Sequence, residues 1–417
     1  MPNLSMFDLI AVLLVLTAAF AWINHTILKL PQTIGLLVMG LAASLVLIGV
    51  ELLFPQLALY DDVVILVRQI DFQETVLNGM LAFLLFAGAL HVDFATLKSR
   101  LWIVGTMATV GVLISTAIIG IGFWAAAAWL GIPLPFVWAL VFGALISPTD
   151  PVAVLSTLKR VKVPLSLEVI MTGESLFNDG VGVVIFTVLL ATATSLHAGG
   201  IDFVHVGELF VVDALGGGVL GLATGYIAYR GMRAIDSYPV EVLISLALVA
   251  GTYALADKLH MSGPIAVVVA GLLIGTRGPA DALSDETERF LFGFWTLMDE
   301  MLNSVLFLLI GLEVLILRFD PSFVWLAVTA IPLVLVARFV AVSGPVLMLS
   351  GKSTFVRGTI PVLTWGGLRG GISVALALSL PESEVKTVIL AATYGVVLFT
   401  IIVQGLSLAP LVKRVVK

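Results

Sequence analysis

LWIVGTMATVGVLISTAIIGIGFWAAAAWLGIPLPFVWALVFGALISPT, residues 101–149, contains no ionisable side chain. A helix needs about 20 apolar residues to cross the roughly 30 Å hydrocarbon core of a bilayer. This run therefore holds two crossings, with Gly131-Ile132-Pro133-Leu134-Pro135 as the turn between them. The rest of the chain has the same character. Of its 417 residues, 60% are hydrophobic and only 12% charged, against about 25% charged in soluble domains. Mean hydropathy is +1.15. No water-soluble fold of this length hides so much apolar surface. The net charge of −6 says little about partners, because the positions of the charges matter more than their sum. With no cysteine, disulfides and thiol chemistry are excluded. Met1 to Asn24 lacks a basic leader and a small-residue cleavage site, so it is expected to stay as a first helix.

Apolar segments fall at about 9–24, 31–50, 75–92, 101–129, 136–158, 169–190, 209–229, 240–256, 262–276, 300–317, 322–349, 358–380 and 387–412. The ten-residue alternation of membrane β-strands is absent. The expectation is an all-α membrane protein of about thirteen transmembrane helices, forming one domain over 1–417. Basic residues sort by loop. Lys29, Lys98, Arg100, Lys159, Arg160, Lys162, Arg230, Arg233, Arg277, Arg289, Lys352 and Arg357 lie in odd-numbered loops. Lys413, Arg414 and Lys417 follow the last segment, while the even-numbered loops hold only Arg68, Lys258, Arg318 and Lys386. Fifteen against four is a strong positive-inside bias. It places the N-terminus outside and the C-terminus in the cytoplasm. Arg338 and Arg369 remain, each near the centre of a span.

Two segments carry helix breakers. Ser147-Pro148-Thr149-Asp150-Pro151 brackets a carboxylate with prolines in the fifth. Gly366-Gly367-Leu368-Arg369-Gly370-Gly371 interrupts the twelfth. They lie seven segments apart and so cross in opposite senses. That spacing predicts inverted repeats, segments 1–6 and 8–13, with the seventh as connector. Paired interrupted helices point to the central site of a transporter.

The sixth segment reads Gly173-Glu174-Ser175-Leu176-Phe177-Asn178-Asp179-Gly180. A carboxylate at mid-membrane costs about 2.5–3.5 kcal/mol on insertion scales, so it persists when paired, hydrated or functional. Ser175 and Asp179 share a helix face, as do Glu174 and Asn178. Desolvation favours the neutral form of a carboxyl group. Such a group can hold a proton or a hard monovalent cation, but hardly both. If the site changes sides only when occupied, opposite ion fluxes are coupled. Asp179 is the candidate carrier. Oxygen ligands for the cation would come from Asp150, Thr149, Ser175 and the carbonyls of broken helices.

These two runs resemble the paired motifs of NhaP-type sodium/proton antiporters, in the branch of cation/proton antiporters that includes the animal exchangers. Leu302-Asn303-Ser304-Val305-Leu306-Phe307-Leu308-Leu309-Ile310-Gly311-Leu312 and Gly366-Gly367-Leu368-Arg369-Gly370 extend the likeness from the third segment to the twelfth. The resemblance implies sodium–proton exchange, with Asp179 carrying the proton or ion. It implies that Asn178 stands where electrogenic relatives carry a second aspartate, so that exchange is electroneutral and one for one. It implies a structural pair of Glu174 with Arg369, with Arg338 as the alternative partner. It also implies a homodimer in a bacterial or archaeal plasma membrane, crossed unwound fifth and twelfth helices, and an ion-translocation bundle centred on 75–190 and 300–380. One departure is that Ala87 and Gly88 follow Phe86 where many members carry a glutamate.

Plainer readings stand beside these. Asp150 is either a cation ligand or a cap on a half-helix beginning at Pro151. Asn178 is otherwise an interhelical hydrogen-bonder. Gly217, Gly221 and Gly225 are expected to allow close helix packing. His25, His91, His197, His205 and His260 lie near loop edges without metal-site spacing, and solvated surface is the expectation, with pH sensing the alternative. Ser284 to Arg289 reads as an interfacial helix. Potassium–proton exchange and sodium-coupled organic-anion symport are the alternative functions. No HExxH or GxxxxGK[ST] motif supports a hydrolase or an ATP-driven pump. The partners expected are Na+ or Li+, H+ and the lipid bilayer, with neither cofactor nor nucleic acid.

Overall fold

In a computed structural model, the chain is described over residues 5–54, 64, 72–150, 154, 163–195, 203–315, 321–349 and 355–416. Pro151 and the rest of the fifth segment apart from Val154, together with Arg68, Lys159, Arg160, Lys162, His197, Arg318, Lys352 and Lys417, lie outside these residues. The described residues fold into helices and turns, with no strand among them. The helices are α1 (Met6–Ile23), α2 (Gln32–Leu53), α3 (Leu81–Leu90), α4 (Phe94–Thr106), α5 (Val112–Trp129) and α6 (Phe136–Ile146). They continue as α7 (Leu165–Ser195), α8 (Phe203–Arg233), α9 (Tyr238–Lys258), α10 (Gly263–Arg277) and α11 (Asp285–Glu313). The last five are α12 (Pro321–Leu349), α13 (Thr359–Trp365), α14 (Gly371–Leu378), α15 (Glu384–Phe399) and α16 (Gly405–Val415). Nine spans among the described residues are long and apolar enough to cross a membrane.

Local chemistry sets several boundaries. Ser5 caps α1 by accepting from the Asp8 amide while Asp8 accepts from the Ser5 amide, satisfying two otherwise free donors. Ser262 caps α10, with Pro264 in its first turn, so the shortest apolar stretch of the sequence still makes a defined helix. α4 and α5 run together through a π-helical turn at Met107–Gly111, which turns the fourth segment into one long span. Ser284 caps α11, and residues 285–289 are its first turns. The helix expected over Ser284 to Arg289 forms the first turns of α11 and runs on into it, because the cap lies ahead of the charges and nothing after them breaks the periodicity.

Packing brings the breaks together. α6 lies against α5 and α7, α12 lies against α5 and α15, and α2 and α3 pack on α11 and α10. On α8, Cβ atoms added at Gly221 and Gly225 would lie 3.0 and 3.1 Å from the Cα atoms of Ala266 and Ala270 on α10. The glycine stripe therefore lets the two helix backbones touch, as its spacing leads one to expect.

Candidate functional site

α6 ends at Ile146 and the chain leaves helical geometry at Ser147-Pro148-Thr149-Asp150. Proline 148 lacks an amide and hinders a helical conformation at the residue before it. α13 ends at Trp365, and α14 begins only at Gly371. The two interruptions meet. The Asp150 amide donates to the Leu368 carbonyl at 2.8 Å. The Arg369 guanidinium donates through Nη1 to the carbonyls of Ser147 and Pro148, the latter at 2.8 Å. Its own amide donates to Thr400 at 3.1 Å.

The charges at this meeting match the helix ends. Arg369 is fully buried and lies on the carbonyls that follow the C-terminus of α6, where a helix carries partial negative charge. Asp150 lies against Gly370, the N-cap of α14, where a helix carries partial positive charge. A Cβ on Gly370 would come within 2.7 Å of Asp150 Cβ, so only glycine admits this approach. Asp150 thus sits at a helix start as expected of a cap, but the helix is α14; the half-helix at Pro151 is outside the described residues.

α7 passes beside the interruption and supplies the buried polar groups. Glu174, Ser175, Asn178 and Asp179 are all buried. Thr149 Oγ1 and Ser175 Oγ are 2.9 Å apart. Asn178 Nδ2 donates to Thr149 Oγ1 at 2.9 Å, and Asn178 Oδ1 accepts from the Thr149 amide at 3.2 Å. Asn178 also reaches Glu174 Oε1 at 3.4 Å. It therefore holds the non-helical stretch after α6 against α7.

Glu174 does not pair with Arg369. Arg338 of α12 makes a two-pronged ion pair with it, through Nη1 to Oε1 and through Nη2 to Oε2 at 2.7 Å. Arg338 Nε and Nη2 also donate to the Leu363 carbonyl near the end of α13, each at 3.2 Å. The expected partner, Arg369, is held by carbonyls of the other interruption instead. Position along the span made both arginines eligible, and the three-dimensional crossing decided between them.

Asp179 remains. It lines a cavity of about 230 Å3, together with Asp150, Thr149, Asp299, Glu300 and Asn303. No hydrogen bond or ion pair joins its carboxylate to a described residue. Ser175 lies behind Thr149 and does not line the cavity wall. Gly88 lines the cavity, whereas Ala87 is buried in the packing. Asp299, Glu300 and Asn303 were not among the expected site residues. They fall at the edge of an apolar segment, where sequence alone does not tell a loop carboxylate from one facing a cavity. Gln32 Nε2, at the start of α2, donates to Ser304 Oγ of α11 at 2.9 Å and closes one wall.

Comparison with known proteins gives one consistent result. The family described as "Sodium/hydrogen exchanger, transmembrane" matches residues 14–414. The chain is 46% identical to the Na(+)/H(+) antiporter NhaP of Pseudomonas aeruginosa, over 98% of this chain and 97% of the relative. It is 39% identical to the Na(+)/H(+) antiporter NhaH of Halobacillus dabanensis, over 89% of this chain and 91% of the relative. In fold it resembles the sodium proton antiporter MjNhaP1 of Methanocaldococcus jannaschii at pH 8, with a TM-score of 0.75 and 22% identity, covering 98% of this chain and 99% of that one.

Proposed function

Because the chain belongs to the sodium/hydrogen exchanger family, we propose that it exchanges sodium ions for protons across a membrane, with Asp179 taking either ion in turn. The observation that carries this reading is Asp179 itself: a carboxylate in an apolar span, on the wall of a cavity, with no described side chain bonded to it. An ion pair would lock such a group. Left open, it binds whichever cation arrives.

Sodium is the substrate, and oxygen donors suit it. The Asp179 and Asp150 carboxylates and the Thr149 hydroxyl line one cavity, with the Ser175 hydroxyl 2.9 Å behind Thr149. When a proton occupies Asp179, the local negative charge falls and sodium loses its main partner. When sodium binds, the proton leaves. Asn178 keeps Thr149 in place and adds no second titrating carboxyl, which supports one-for-one, electroneutral exchange. Glu174 and Arg338 neutralise each other and tie α7 to α12. The relatives above are named for sodium–proton exchange, which favours this reading over potassium exchange or organic-anion symport.

The same reading keeps the finer expectations. Thirteen spans, with the N-terminus outside and the C-terminus in the cytoplasm, follow from the positive-inside bias. The inverted repeats, the crossed interrupted helices and a translocation bundle centred on 75–190 and 300–380 agree with the meeting of residues 147–150 and 366–370. A homodimer in the plasma membrane completes the proposal. Proteoliposomes holding a pH-sensitive dye test it. Sodium addition should move protons with the wild type, and Asp179→Asn should abolish that movement while the protein still inserts. Undiminished exchange by the variant would reject the assignment.

A further inference from the structure

We propose that Thr400, in the last apolar span, is a positioning residue for the ion site, holding Asp150 in place through the peptide unit that joins Leu368 to Arg369. That unit sits in the break between α13 and α14. Its carbonyl accepts from the Asp150 amide at 2.8 Å. Its N–H, which belongs to Arg369, donates to Thr400 Oγ1 at 3.1 Å. The peptide is trans, so it is planar and its C=O and N–H point in opposite directions. One rigid plate therefore lies between Asp150 on one side and Thr400 on the other. Turning the plate to release the N–H swings the carbonyl away from Asp150 as well.

The surroundings of Thr400 suit this role. Its hydroxyl hydrogen goes to the Val397 carbonyl at 3.0 Å, which leaves the oxygen free to accept from the Arg369 amide. Thr400, Leu368 and Arg369 are all buried, and a buried amide deprived of its acceptor is costly. Thr400 opens a π-helical turn, Thr400–Gln404, between α15 and α16. Such turns are frequent at functional sites. Gln404, on the same face at the other end of the turn, donates through Nε2 to the Trp365 carbonyl at 3.0 Å. Trp365 ends α13, where carbonyls lack helical donors. Its indole Nε1 donates in turn to Ser407 Oγ at 2.8 Å. The last span is thus a splint along the break. Gln404 and Ser407 hold the point where α13 stops, and Thr400 holds the stretch that leads into α14.

The splint reaches the ion site through Asp150. Thr149, Asp150 and Asp179 line one cavity. The Thr149 amide is fixed from α7 by Asn178, and the Asp150 amide is fixed by the plate. Gly370, the next residue but one after Leu368, lies against the Asp150 side chain. The spacing of these neighbouring oxygen donors from each other and from Asp179 therefore depends on the plate. A shift of one donor weakens cation binding and leaves the Asp179 carboxylate in place. Thr400 accordingly acts on affinity for sodium and not on the carrier itself. From sequence alone, a threonine in an apolar span reads as a hydroxyl bonded to its own helix.

The effect on sodium rests on the exchange reading above, while the placement of Asp150 has a separate readout. In proteoliposomes, Thr400→Val should raise the apparent KM for sodium several-fold and leave the maximal rate close to that of wild type. Thr400→Ser keeps the acceptor and should retain the wild-type KM. Thr393→Val should also leave KM unchanged, because the Thr393 hydroxyl, equally buried on α15, donates to the Ile389 carbonyl of its own helix. Should Thr400→Val fail to insert, Thr400→Ala removes the same acceptor and takes its place. Hydrogen exchange read by mass spectrometry reports the placement: the amides of residues 147–150 should exchange faster in Thr400→Val than in wild type, and at the wild-type rate in Thr400→Ser. A maximal rate that falls at unchanged KM, a serine variant no better than the valine one, or unaltered protection at 147–150 would overturn the assignment. If wild-type vesicles moved no protons with sodium, the exchange reading would fail, and the protection at 147–150 would still decide whether Thr400 places Asp150.

Discussion

Glu174 and Arg338 show what a buried charge demands of its neighbours. Both are nearly sealed from solvent and bonded to each other through two contacts. Removing one member of such a pair costs about 3–5 kcal/mol, because its partner is left charged and unpaired. Glu174→Gln and Arg338→Met should each lower the thermal stability of the purified protein strongly, and the double variant should recover part of the loss. Additive losses would mean that the two side chains do not act as a pair. Asp179 is the opposite case, since no described partner holds it. Its candidacy was legible in the sequence, because a carboxylate within an apolar run stands out without a structure. The partner of Glu174 was not legible. Two arginines lie near the middle of their spans, and only the path of the chain at 366–370 sends Arg369 to the carbonyls of Ser147 and Pro148.

At the scale of helices, close approach is the recurring device. Gly370 touches Asp150, and Gly221 touches the backbone of Ala266. Gly218, three residues away on α8, has open space beside it. Gly221→Ala should therefore lower stability by about 1–3 kcal/mol, while Gly218→Ala should be neutral or slightly stabilising, as judged by thermal unfolding in detergent. Equal effects would contradict the α8–α10 contact. Gly370→Ala should impair exchange more than it impairs insertion, because the added methyl falls on Asp150 rather than on lipid. A variant with wild-type exchange would remove Asp150 from the site. The sequence foretold these elements well where apolar runs and breakers coincide, as at Pro148 and Gly366-Gly367. It foretold them less well where helical phase matters. Periodicity places Asp299 and Glu300 on a helix, but it does not say that their face looks into a cavity.

For the whole molecule, charge balance is decisive. On the proposed reading, Asp179 alone exchanges one sodium for one proton, so the cycle moves no net charge. A cycle carrying one net charge would gain or lose about 2.3 kcal/mol per 100 mV of membrane potential. Exchange by this protein should accordingly be unaffected by a potassium-diffusion potential imposed on the proteoliposomes, and a clear response to that potential would remove the electroneutral stoichiometry. The more direct test is of the competition itself. Sodium is titrated into purified protein in weak buffer and the released protons are counted. About one proton should be released for each sodium bound in the wild type, with neither sodium binding nor proton release in Asp179→Asn. Sodium bound with no proton released, or protons released equally by the variant, would contradict the competition.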